Sequence, residues 1–104
     1  MSGIYRHVVL FKFKDDASQD QIDVVARAFE AFCAGLDFVK SLEWGVNSSP
    51  EGLNEGLTHC FVVSFADASG RDAYLPHPKH VAFCRTYLDP ILDRVVVVDF
   101  APVG

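Results

Sequence analysis

IYRHVVLFKFK, residues 4–14, alternates in character: His7, Val9, Phe11 and Phe13 fall on one side of an extended chain, and Val8 and Leu10 on the other. Successive side chains of a strand point to opposite faces, so this stretch reads as a strand with an apolar set on both. Such a strand needs a cover on each side. Which segments supply those covers decides the architecture.

DDASQDQ (15–21) ends the alternation, and Ser18 stands three residues before Gln21, the spacing of a capping box. A helix starts there. Ile22, Val25, Ala26, Phe29, Cys33 and Leu36 recur at threes and fours, the stripe of an amphipathic helix, with Gly35 as its end signal. FVKSLEWGVN (38–47) reads as a second strand with Leu42, Trp44 and Val46 on one face. SSPEGLNEG (48–56) is a polar loop too long for a tight hairpin, and LTHCFVVSF (57–65) is a third strand. A short helix over DASGRDAYL (67–75), a helix from Pro78 to Leu88 or beyond, and a strand RVVVVDF (94–100) complete the chain.

The order β-α-β-β-α-β is the ferredoxin-like arrangement of the α+β class. Right-handed crossovers place the helices on one face of a four-stranded antiparallel sheet. His7, Val9, Phe11, Phe13, Phe61, Val63 and Phe65 are expected to form the other face, which no further element covers. An exposed apolar surface of that size marks an interaction site, worth roughly 25 cal/mol per Å² when buried. The simplest cover is a second copy laid sheet to sheet, so a homodimer is expected from the residues alone.

The 104 residues suffice for one core, so residues 1–104 are read as a single domain, and nine Phe make that core aromatic. A net charge of −5 without a Lys/Arg cluster argues against nucleic acid and anionic membrane surfaces. No uninterrupted apolar run, VVLF (8–11) included, exceeds four residues, far too short to span a bilayer, and no secretory signal is read at the start. Cys33, Cys60 and Cys84 lack CxxC spacing and lie in apolar-periodic segments, as buried free thiols do. A reducing cytoplasm is the expected location.

Chemistry concentrates in AYLPHPKHVAF (73–83). Pro78 suits the first helical position, which makes His77 the N-cap and puts His80 in the first turn, with Cys84 and Tyr87 following on the same side. Residues alone leave two roles open for His80: a buried histidine satisfied by one hydrogen bond, or a general base. The positive end of the helix dipole disfavours imidazolium there, so His80 is expected to be neutral at pH 7. A metal site is not expected. The H-x-x-H spacing of His77 and His80 is not the i, i+4 pair of zinc proteases, and no carboxylate or Cys falls at a matching position. Neither a phosphate loop, a Ser-His-Asp arrangement nor a nucleophilic Cys is indicated.

HVVLFKFK (7–14), EWGVNSSPEGLNEGLTHCFVVSF (43–65) and YLPHPKHVAF (74–83) together resemble the stress-responsive A/B barrel domain (Dabb) family, over about His7 to Phe100. The resemblance implies a dimeric α+β barrel built from two ferredoxin-like subunits. It also implies a relationship to a plant polyketide cyclase that performs an aldol condensation without a cofactor. By that likeness His80 matches a catalytic histidine and Tyr74 its tyrosine partner. His7 and His59 match further histidines, and Val9, Phe11 and Phe61 fall where a substrate cavity is lined. Phe29 and Ile91, with Ala26, stand at substrate-tail positions where the cyclase carries other residues.

The implied function is a cofactor-free acid–base enzyme, cyclase- or lyase-like, acting on a small carbonyl or polyketide-like compound. The alternatives are a non-catalytic homodimer that binds a small hydrophobic ligand, and a cofactor-independent oxygenase of the wider α+β barrel superfamily.

Overall fold

The computed structural model describes residues 4–104. Its elements follow in the order β1 (Tyr5–Phe13), α1 (Gln19–Ala34), β2 (Ser41–Val46), β3 (His59–Phe65), α2 (Ala68–Tyr74), α3 (Pro78–Phe83) and β4 (Leu92–Phe100). The strands form one antiparallel sheet in the order β2-β3-β1-β4, the ferredoxin-like topology. Among the described residues no helix is long and apolar enough to cross a membrane.

Local signals place the helices. The Ser18 side chain accepts from the Gln21 backbone N–H, and the Gln21 side chain accepts from the Ser18 N–H at 2.8 Å, a complete capping box. Ser18→Ala is expected to cost about 1 kcal/mol, read as a fall of roughly 4–8 °C in the thermal midpoint. Gly35 caps the other end of α1. β2 begins three residues later than the alternation suggested, because Phe38 and Val39 turn inward to pack on the core. After α3 the helix loosens into a π turn (Cys84–Leu88) and a 3-10 turn (Asp89–Ile91) instead of continuing as α-helix to Leu88.

The two sheet faces are the reverse of the expectation. His7, Val9, Phe11, Phe13, Phe61, Val63 and Phe65 are all buried on the helix side and make the core with Val25, Phe29, Tyr74 and Phe83. Alternation fixes which side chains share a face; it does not say which face meets the helices. The helices decide it through their own rings. Phe29 of α1 stacks flat on Phe61 at 4.6 Å and lies 5.0 Å from Phe83 of α3. On the other side of Phe61, Trp44 stacks at 5.2 Å, and its indole N–H donates to Glu30 of α1.

The open face is built from the other set. Val8 stands opposite Val98 and Val62, Leu10 opposite Val96 and Cys60, and Arg6 opposite Phe100. Val98 is 55% exposed and Phe100 42%. The edge strand β4 also reaches past the helix layer, leaving Val95 and Val97 exposed on the helix side.

Candidate active site

Two helix ends converge to build the site. Asp67 caps α2 by accepting from the Ser69 N–H at 2.9 Å, and the helix closes on Tyr74. His77 caps α3 by accepting from the Lys79 N–H at 3.1 Å, with Pro78 at the helix start. The intervening residue Leu75 offers its carbonyl oxygen to the Nδ1 of His80 at 2.9 Å.

That hydrogen bond assigns the tautomer. A carbonyl can only accept, so Nδ1 carries the proton and, in the neutral ring, the lone pair lies on Nε2. Burial holds His80 below the ordinary imidazole value; the bond to Leu75 opposes this and nearby His7 adds to it. His80 is therefore a base left neutral at pH 7. The helix dipole is not needed to explain it.

Tyr74 is 1% exposed, and its ring centroid stands 4.5 Å from that of His80 and 5.5 Å from that of His7. Burial, with smaller contributions from Cys33 and Cys84, raises its phenol above the ordinary range. It stays protonated and can donate. His7 donates Nδ1–H to Asp99 at 2.6 Å, and the other carboxylate oxygen accepts from Arg71 at 3.1 Å. Arg71 in turn donates to the Tyr5 hydroxyl at 2.6 Å.

Of the residues singled out in the sequence, His7, Tyr74 and His80 come together. Val9, Phe11, Phe29 and Phe61 lie in the same hydrophobic core, but Phe11 stands four residues along β1 from His7, about 13 Å away at the strand rise. His59 does not join this group. It sits four residues along β3 from Val63, the partner of His7, about 13 Å away at the strand rise, and packs on Phe13 and Trp44. Ile91 is buried beneath a separate shallow concavity with Val24 and Tyr87.

Asp99, Arg71 and Phe32 also belong to the cluster without having been expected there, and Cys84 joins it from the helix side it was expected to share with His80. A carboxylate ending the valine run of β4 was the one available signal, and it needs the His7–Asp99 register to be read. Among the described residues, no group of three or more His, Cys, Asp or Glu is placed to hold a metal ion.

A pH dependence of stability follows. His59 and His80 are both held below the ordinary value of 6.5, chiefly by burial. The unfolded chain then binds more protons between their folded values and 6.5, so their contribution is complete above that pH and is lost as pH falls below it. Urea melts at about pH 7.5 and about pH 5.5 are expected to show the lower midpoint in acid.

The model of the stress responsive A/B barrel domain, Dabb, matches residues 5–102, and the chain belongs to this family. It is 33% identical over 100 residues to the stress-response A/B barrel domain-containing protein HS1 of Arabidopsis thaliana, covering 96% of this chain and 91% of that one. It is 25% identical over 97 residues to olivetolic acid cyclase of Cannabis sativa, covering 93% and 95%. A dimeric ferredoxin-like protein of unknown function from Thermobifida fusca superposes with a TM-score of 0.79 at 28% identity, covering 98% of this chain and 93% of that one.

Proposed function

We propose that this chain is a cofactor-free acid–base enzyme that moves a proton on a small carbonyl compound, with His80 as base and Tyr74 as donor to the developing oxyanion. The observation that carries this reading is the Nδ1–H bond from His80 to Leu75, which leaves Nε2 as the basic atom of a neutral, half-buried imidazole. Nε2 takes a proton from the carbon next to the carbonyl, leaving an imidazolium and an enolate. The Tyr74 hydroxyl donates to the enolate oxygen. The carbanion either attacks a second carbonyl or takes the proton back, and the new alkoxide or carbon discharges the imidazolium. Kinship with a protein named a cyclase supports the first branch.

Phe32 and Phe65 lie within 6 Å of the Tyr74 ring and give the proposed donor apolar neighbours, which suits a small, largely apolar compound. We place neither His59 nor Ile91 against that compound, since His59 lies about 13 Å along the sheet from His7 and Ile91 lines its own concavity. The working unit is a homodimer in which the second copy covers Val8, Leu10, Val62, Val96 and Val98, forming an α+β barrel from two sheets. The dimeric Thermobifida protein supports that assembly.

The test is proton exchange. The protein is incubated in deuterium oxide with a panel of small ketones, aldehydes and β-dicarbonyl thioesters, and loss of α-proton NMR signal is followed. Exchange that His80→Ala removes is the expected result. His77→Ala is expected to leave exchange unchanged and to lower stability by about 1 kcal/mol, because it only caps α3.

A second reading, a non-catalytic ligand-binding dimer, is favoured by one observation. A concavity of about 520 Å³ is lined by Leu10, Leu53, Cys60 and Val62 and by neither His80 nor Tyr74. Absence of exchange across the panel, with binding of an apolar probe there, selects that reading.

A further inference from the structure

Cys84 lies one turn after His80, at the point where α3 gives way to the π turn. Its Sγ is 3.6 Å from His80 Nε2. The opposite ring nitrogen is already committed to the Leu75 carbonyl. Both nitrogens of the candidate base therefore have protein partners, and the one left as acceptor faces a thiol. π turns inserted in helices occur often at functional sites, and here the turn begins at the residue that touches the base.

The protonation states on both sides agree. Burial, and to a smaller degree Asp89, raises the thiol above its ordinary value, while burial lowers the imidazole. Next to His80 the titratable groups are His7 from β1, Tyr74 from α2 and Cys84 itself, and Phe32 from α1 adds an uncharged wall. None of them supplies a charge that would split the pair into thiolate and imidazolium. A neutral thiol beside a neutral imidazole has one way to bond: S–H donates to the Nε2 lone pair.

We infer that Cys84 is a positioning residue for His80, its S–H occupying the Nε2 lone pair in the resting protein, so that a ligand must turn the thiol aside before the base can act. No covalent step is involved; the sulfur changes rotamer and keeps its proton. The meaning of this latch for turnover rests on His80 acting as the base, but the hydrogen bond itself does not.

The test is made on the free protein and needs no substrate, so absence of a reaction leaves it unaffected. Wild type, Cys84→Val, which fills nearly the same volume without a donor, and Cys84→Ser, which keeps a donor, are compared in two ways. The first is the rate at which diethyl pyrocarbonate modifies His80 at neutral pH, read by peptide mass mapping. The second is the NMR titration midpoint of His80.

Cys84→Val is expected to react roughly 2- to 10-fold faster than wild type, the factor that an ordinary hydrogen bond represents, with its midpoint moved upward. Cys84→Ser is expected to stay at or below the wild-type rate and midpoint. If Cys84→Val does not fold by circular dichroism, Cys84→Ala carries the same expectation. A donor-free variant with the wild-type rate and midpoint overturns the inference, as does a Cys84→Ser protein that behaves like Cys84→Val.

Discussion

Phe61→Asp is expected to leave no folded protein, while Val98→Asp is expected to leave a folded chain that no longer pairs. Phe61 is 1% exposed and sits between the rings of Phe29 and Trp44. An aspartate there loses ring packing worth about 3–5 kcal/mol and buries a carboxylate without a partner. Total stabilities are only about 5–15 kcal/mol, so the fold does not survive. Val98 is half exposed on the open face, where a carboxylate stays hydrated in the single chain and becomes buried only when two sheets meet. Circular dichroism and sedimentation velocity separate the two effects. The reverse outcome, a folded monomer from Phe61→Asp and an intact dimer from Val98→Asp, would return the large rings to the open face.

The second large effect is at the base. His80→Ala is expected to lower the rate of proton exchange by about 10²- to 10⁴-fold, the usual contribution of a positioned general base. Circular dichroism is expected to be unchanged, because His80 is a half-exposed side chain at a helix start, outside the buried core. Tyr74→Phe keeps the ring that packs on Phe65 and Phe32 and removes only the hydroxyl. It is expected to slow exchange by about 10²-fold, the scale of losing one oxyanion donor, with little change in ligand affinity. An equal weakening of affinity would make the hydroxyl a binding group instead.

Much of this fold is legible in short-range chemistry. Ser18 and Gln21 mark the start of α1 because a capping box is satisfied by residues three apart, and Gly35 marks its end. His77 and Pro78 mark the start of α3 for the same local reason. The identity of the buried sheet face is different, since period-two alternation is symmetric between the two sides and only the rings arriving from α1 and α3 break that symmetry.

The site divides along the same line. Tyr74 and His80 lie six residues apart and their meeting depends on one turn, so the stretch that holds them is visible in the chain. Asp99 meets His7 across 92 residues through strand pairing, which no local signal announces, whereas Cys84 meets His80 four residues on, along the helix side that the spacing already shows.

The most direct measurement is the ¹⁵N NMR spectrum of the His80 imidazole at pH 7, with long-range couplings used to assign both nitrogens. A neutral ring with the proton on Nδ1 and an unprotonated Nε2 is the predicted result. An imidazolium at that pH, or a neutral ring with its proton on Nε2, would contradict His80 as the base of this site.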